Sequence, residues 1–401
     1  MSRPSDNRSL LILLSVLTFV VCGTYILVVF GKGYRLNFSN GPKFQATGLL
    51  SATSSPKSAS VYLDDRLVTA TDDTLNLVPG NYQVRIAKDG YLPWAKLVTI
   101  KKEIVSPVSA QLFRSAPNLK PVTFVGAINP TVSPDNTKIV FAVASASATK
   151  DNGLYLLEDQ GYPLSFGHNT PKQIAPDFVG INWSHFSFIF APDGKSILAT
   201  SLKPAINYLI KLDSAITSGK LFDVTTQIPI IKEEWQTQQT TLINSQISRL
   251  PSSLQSAIST QSSSHLQFSP DESKILYLAN KKINLSPILT VTPPSQNNLP
   301  QQRQIEPLKY YVYDLKNDTN YLIADNGQFS HLFWLPNSDN LILATTDTIY
   351  ASDSDGSNRQ TLFKGQFMAL VLATSTNGLD LVTVISPYDS APENLYAITI
   401  R

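Results

Sequence analysis

The sequence predicts an all-β protein carried behind one N-terminal helix, and three observations carry that prediction. One uninterrupted apolar run stands near the start, apolar and polar residues then alternate at period two between turn signals, and a proline-containing turn phrase recurs through the last two thirds of the chain. With 401 residues, 42% hydrophobic and only 15% charged, the chain is long enough for two or three domains with sizeable cores.

The first element is the run from Leu10 to Phe30 (residues 10–30), which holds no side chain charged at neutral pH. At a rise of about 1.5 Å per residue it spans roughly the 30 Å of a hydrocarbon core, and it reads as a transmembrane helix behind a tail of residues 1–9. A cleaved signal peptide is the rival, because Arg3 and Arg8 resemble a charged leader start, but the run is long and no small-x-small exit follows it. Phe19, Val20 and Val21 before Cys22 are too bulky for a lipoprotein site, so Cys22 reads as a lipid-facing or packing thiol. As the sole cysteine it excludes an internal disulfide framework and any multi-cysteine metal site. Basic residues flank both ends of the run, Arg3 and Arg8 before it and Lys32, Arg35 and Lys43 after it, so charge bias does not orient it. The short tail and the long polar region beyond favour a signal anchor with the bulk of the chain outside the cytoplasm. Lys+Arg of 32 against Asp+Glu of 30 leaves a net charge of +2 with no basic stripe, which argues against nucleic acid as a partner.

A stalk, residues 31–46, leads into the strands. Val61 and Leu63, Leu75 and Leu77, and Tyr82, Val84 and Ile86 fall at period two, so each set lies on one face of its strand. Asp64-Asp65, Pro79-Gly80 and Asp89-Gly90 supply residues suited to reversals. The segments GLLSATSSPKSASVYLDDRLV and LNLVPGNYQVRIAKDGYLPW resemble the PEGA domain, with Pro79-Gly80-Asn81-Tyr82 and Lys88-Asp89-Gly90-Tyr91 in that family's order and spacing. The chain departs from the family at Pro56-Lys57-Ser58-Ala59, where Pro-Glu-Gly-Ala gives the family its name, and it lacks the Gly-x-Thr-Pro before Leu75. The resemblance implies a small β-sandwich-like module over residues 47–115, of a kind found mainly in bacterial envelope and surface proteins, and brings no catalytic residues.

Beyond it the turn phrase appears as Ser133-Pro134-Asp135 before KIVFAV, Ala191-Pro192-Asp193-Gly194 before SILATS, Ser269-Pro270-Asp271 before KILYLA and Leu335-Pro336-Asn337 before NLILAT. A degenerate fifth copy is Ser375-Thr376-Asn377-Gly378 before LDLVTV. Each strand is commonly followed by one bearing a tyrosine: GLYLLE, NYLIKL, YYVYDL, TIYASD and NLYAIT. A strand-turn-strand phrase repeated at tens of residues is the mark of a propeller, whose blades cannot bury their faces without neighbours. The copies resemble the TolB-type repeat, related to the WD40-like propellers, and the resemblance implies a β-propeller over residues 116–401. Five or six blades are expected, or seven if some are unmarked.

Two insertions interrupt the repeats. Residues 232–261 hold Leu242, Ile243, Ile247, Leu250, Leu254 and Ile258 at helical intervals, with Pro251 dividing two short helices, and read as a cap on the propeller edge. Residues 286–307 are rich in Pro, Gln and Asn and read as an exposed loop.

No phosphate-binding glycine loop, nucleophile elbow or His-Glu-x-x-His pair is present, and no cofactor is expected. His168, His185, His265 and His331 are scattered and read as structural. Asp353-Ser354-Asp355-Gly356-Ser357-Asn358 begins like a calcium loop but lacks the later bidentate acid, so it reads as a turn, as do Asp64-Asp65 and Asp72-Asp73. Trp94, Trp183 and Trp334 read as core residues. The functional expectation is therefore a non-catalytic, membrane-anchored, extracytoplasmic binding or scaffold protein, with a propeller face that recognises a protein or a cell-envelope polymer and with no catalytic, cofactor or metal residues. The alternatives are a structural subunit of an envelope or secretion assembly and a propeller hydrolase, which would need acidic or His residues clustered at one end.

Overall fold

The computed structural model describes residues 7–31, 35–37, 43–158, 170–213, 216, 221–258, 266–289, 299–365, 367–374, 380–385 and 393–401. Helix α1 (Asn7–Gly31) contains an 18-residue window, Leu11–Val28, of mean hydropathy 2.6, and is long and apolar enough to cross a membrane. Its Thr18 and Thr24 hydroxyls donate at 2.8 Å to the carbonyls of Leu14 and Val20, so both threonines are satisfied within the helix.

The remaining chain is built of strands and divides into two compact units. The first takes in the chain up to Asp89 together with Pro93–Leu112; the second takes in Gly90–Leu92, Phe113–Val291 and Leu299–Arg401. In the first, two sheets face each other. One runs Asp73–Leu77, Gly48–Ser55, Val105–Gln111, and the other Arg66–Ala70, Ser60–Leu63, Gly80–Ala87, Trp94–Ile100. Period two aims Leu50, Ala52, Val61, Leu63, Val84, Ile86, Val98 and Val108 into the core, and Trp94 is 3% exposed. Asp64 and Asp65 turn the hairpin with φ of 47° and 64°, and Gly90 takes φ of 80°. Pro79-Gly80 is different from expectation: it joins strands of opposite sheets, so it changes layer rather than turning a hairpin.

Among the described residues the blades of the second unit, a β-propeller, are five antiparallel sheets of three or four strands. Blade II is Ile128–Val132, Lys138–Val143, Gly153–Glu158 and Lys172–Pro176; blade III is Phe186–Phe190, Ser196–Leu202 and Ala205–Lys211. Blade IV is Leu266–Phe268, Lys274–Leu278, Lys309–Asp314 and Thr319–Asp325; blade V is His331–Trp334, Asn340–Ala344, Thr348–Asp353 and Gln360–Lys364. Blade I is shared between the two ends of the unit: Phe367–Thr374, Asp380–Ile385 and Asn394–Thr399 supply its first three strands and Asn118–Pro121 its fourth. The register Leu119↔Ile398 and Pro121↔Tyr396 closes the ring. First strands lie innermost, as Asn129 and Thr131 of blade II donate to the Phe186 and Phe188 carbonyls of blade III, and Gln267 of blade IV to the Leu332 carbonyl of blade V. The degenerate phrase at residues 375–378 lies outside the described residues.

The second strand of each blade is apolar on both faces because each face meets a different neighbour. In blade II, Val140 and Ala142 pack with Phe188 and Ala199 of blade III, while Ile139, Phe141 and Val143 pack with Leu395 of blade I. In blade V, Leu341 and Leu343 pack with blade IV, and Ile342 and Ala344 with Leu381 and Ile398 of blade I. The last strand follows the same rule, with Leu395 and Ile398 entering cores on opposite sides.

Between blades III and IV the ring is completed by helices, which correct the edge-cap reading. Helix α2 (Ile228–Ile247) starts earlier than expected because Pro229 is tolerated in a first turn, and helix α3 (Ser252–Gln255) follows Pro251. Ile231 of α2 packs on Leu198 of blade III, and Ile243, Ile247, Leu250 and Leu254 pack on Ile275, Tyr277 and Tyr311 of blade IV. The helices thus occupy the position of a sixth blade. The flanks of the Pro/Gln/Asn-rich segment are also ordered: Ile283–Asn284 pairs with Gln304–Ile305, and Leu285 and Ile305 are buried.

Two outcomes are expected. Truncation after Glu393 removes Leu395, Ile398 and Ile400, each at most 1% exposed and worth about 1.5–3 kcal/mol of burial, so the melting temperature should fall by many degrees. Gly194 has φ of 65° with open space where a Cβ would stand, so Gly194→Ala should cost about 1 kcal/mol through backbone strain alone, read by urea unfolding.

Candidate interaction face and channel pocket

The propeller has two rims of different chemistry. In an antiparallel blade the connections between strands 1 and 2 and between 3 and 4 emerge on one rim, and the remaining connections on the other. The first rim carries the proline turns. Ser133 Oγ donates to Asp135 Oδ1 at 2.5 Å, and that oxygen also accepts the Thr137 N–H at 3.2 Å. Ser269 and Asp271 repeat the arrangement in blade IV, and the single acceptors Asp193 and Asn337 serve blades III and V. The residue after each acceptor, Asn136, Gly194, Glu272 or Ser338, has φ between 55° and 65°. Successive turns are tied together, Lys138 Nζ donating to the Gly194 carbonyl, and Lys274 Nζ to the Ser338 carbonyl and to Asp339 at 3.0 Å.

These acids are spent on structure. Burial opposes the charged form of Asp271, but hydrogen bonds from Ser269, Ser273 and the Ser273 N–H, with Lys274 close by, outweigh it and hold the carboxyl well below the usual range. Asp135 is lowered by the same balance. Asp353 accepts from Asn358 and Asn340 at 3.0 Å within a turn where Gly356 has φ of 82°, so the calcium-like string is a turn. Asp64 accepts the Gln83 N–H, Asp65 pairs with Arg85 at 3.5 Å, Asp72 with Lys57 at 3.3 Å, and Asp73 accepts from Thr69. Among the described residues no three His, Cys, Asp or Glu side chains gather as a metal site.

The opposite rim carries exposed apolar side chains among polar loops. Phe124, 76% exposed, and Val125 project from the loop into blade II, Val179 from the loop into blade III, and Leu308 from the second-to-third connection of blade IV. In the proline turns of the first rim no large apolar side chain is exposed, while Phe222, 72% exposed, follows the third strand of blade III. This asymmetry escaped the sequence reading, because no local pattern says which loops share a rim.

Between the innermost strands of blades IV and V lies a pocket of about 220 Å³ lined by Gln267, Leu276, Tyr310, Phe329, Ser330, His331, Leu332 and Phe333, with Asn136 of blade II. His331 Nδ1 is buried there without a hydrogen-bond partner. Burial pushes its imidazole below the ordinary value, which leaves it neutral at pH 7. His185 is exposed, and His168 and His265 lie outside the described residues. Trp183 and Trp334 are buried, their indole N–H groups donating to the Pro176 and Gln267 carbonyls.

A clasp holds the outer excursion of blade IV. Asp318 accepts from Arg303 at 2.9 Å, from the Tyr313 hydroxyl at 2.6 Å and from the Ile288 and Leu289 N–H groups. Burial raises its pKa, but these donors win and bring the carboxyl down to about 2.

Residues 47–115 match the PEGA domain family. No curated protein matches the chain. Among solved structures it is similar to TolB from Acinetobacter baumannii (15% identity, 79% of this chain and 59% of that one, TM-score 0.22). It is also similar to a Pyrococcus horikoshii acylaminoacyl peptidase (11%, 70% and 39%, TM-score 0.22) and to an oligogalacturonate lyase in complex with manganese (10%, 92% and 96%, TM-score 0.23). The chain thus spans less than two thirds of the TolB and peptidase chains. At these scores the likenesses carry no argument about function.

The Asp318 clasp makes a pH prediction. A carboxyl lowered from 3.8 to about 2 in the folded state stabilises it above the unfolded value, and that contribution is lost as pH falls from about 4 to about 2. Asp318→Asn should melt lower than the parent at pH 7 and show a smaller fall in melting temperature across that window.

Proposed function

We propose that this protein is a non-catalytic binding or scaffold protein, anchored by α1 in a membrane with its PEGA domain and propeller outside the cytoplasm, and that the apolar rim of the propeller recognises a protein or an envelope polymer. The observation that carries the reading is the contrast between rims. One ties its polar groups into turns, and the other presents Phe124, Val125, Val179 and Leu308 to solvent from separate loops. Loops of several blades converging on one rim allow many weak contacts to add without catalytic chemistry, and exposed aromatic and aliphatic side chains are the usual anchors of such contacts. The membrane run and the family of the first module support the extracytoplasmic placement.

Crosslinking of the intact membrane-bound protein tests it, comparing the parent with a Phe124→Ser, Val125→Ser, Val179→Ser, Leu308→Ser variant. The expected result is loss of the main crosslinked species at an unchanged melting temperature, together with digestion of the propeller by protease added to intact spheroplasts. An identical crosslinking pattern from the variant removes the rim from the proposal, and protection until permeabilisation removes the placement.

A further inference from the structure

The channel pocket is a separate feature from the apolar rim, and its chemistry is specific enough to name a ligand class. Its volume of about 220 Å³ far exceeds the roughly 30 Å³ share of one water and falls below the 300–1,000 Å³ of pockets for drug-sized ligands, so it is sized for a single ring. None of its lining residues carries a carboxylate, ammonium or guanidinium. Arg359, whose guanidinium stands 5.3 Å from the Phe329 ring centroid, donates to the Ile323 carbonyl at 2.6 Å. A charged ligand would therefore lose its hydration without gaining a counter-charge.

Besides the Tyr310 hydroxyl, the polar groups in the lining fall into two sets. Ser330 Oγ donates to the Ala344 carbonyl and Gln267 Nε2 to the Leu332 carbonyl, each at 2.9 Å, so both are committed to holding blades and strands together. His331 Nδ1 is buried without a hydrogen-bond partner, and the Gln267 and Asn136 side chains also line the pocket. A purely apolar guest would leave the buried His331 nitrogen unpaired, at a cost of about 1–3 kcal/mol, whereas hydroxyls both donate and accept. Leu276, Phe329, Leu332 and Phe333 complete the wall with apolar surface suited to the C–H face of a ring.

We propose that this pocket binds one uncharged, hydroxyl-bearing ring, a neutral monosaccharide unit, with His331, Gln267 and Asn136 meeting its hydroxyls. The test uses the full chain in nanodiscs and saturation-transfer NMR with N-acetylglucosamine and galactose as probes, and glucuronate and cyclohexanol as controls. The expected result is saturable binding of a neutral sugar in the millimolar range, weakened at least tenfold by His331→Phe and at least tenfold weaker for both controls. If His331→Phe fails to fold, Asn136→Ala should still weaken binding several-fold, since Asn136 lines the pocket from a different blade. Failure of both sugars to saturate, equal binding of glucuronate or cyclohexanol, or binding unchanged in a folded variant would each overturn the proposal. None of these results bears on the crosslinking at the rim.

Discussion

The propeller depends on one constraint: its central strands are apolar on both faces, so every sheet needs two neighbours. Ile139, Phe141 and Val143 look one way and Val140 and Ala142 the other, and the same division recurs in blades IV and V. A blade taken alone would expose both such rows. Five sheets in an open arc would still leave two rows uncovered. Stability therefore rests on completing the circle, and the two unusual features of the unit, the shared blade I and the helical excursion, both serve that end.

The helices show how loosely the requirement is specified. What blade III and blade IV need is apolar surface of the right breadth, not a strand. Ile231 near the start of α2 covers Leu198, and the later turns with α3 cover Ile275 and Tyr277. An amphipathic helix pair satisfies both faces while keeping its backbone hydrogen bonds internal, so it does not have to find an edge to pair with. The rest of the blade III face pays for this economy of design in exposed side chains: Ile189 and Leu209 stay outside the cover.

Much of this was legible in the sequence. The strands KIVFAV, KILYLA and NLILAT announced themselves by continuous apolar character after a proline turn, and the acidic residues of those turns were correctly read as turn formers. The fourth strand of blade I was not legible, because Asn118–Pro121 is exposed along its length and has no apolar pattern to betray it. The burial of one face of residues 232–258 was readable from its spacing, but the identity of what it covers was not, since periodicity encodes a face and not its partner. The candidate site was almost wholly hidden. His331 looks in sequence like any residue opening a strand, and only the approach of three blades reveals an imidazole nitrogen without a partner.

Ring closure through blade I also has a consequence in time. The Thr123 hydroxyl accepts the Leu395 N–H across 272 residues of chain, and the outer strand of blade I waits for its neighbour over a similar distance. Lengthening such a loop adds little to the equilibrium cost, since entropy grows only with the logarithm of length, but contacts of long range slow the search for them. As the chain emerges in order, blade II is complete long before Leu395 exists to cover Ile139, Phe141 and Val143. A nascent propeller thus carries an open apolar flank until its final strand arrives, and that flank is the surface on which a folding helper would act and from which misassembly would start.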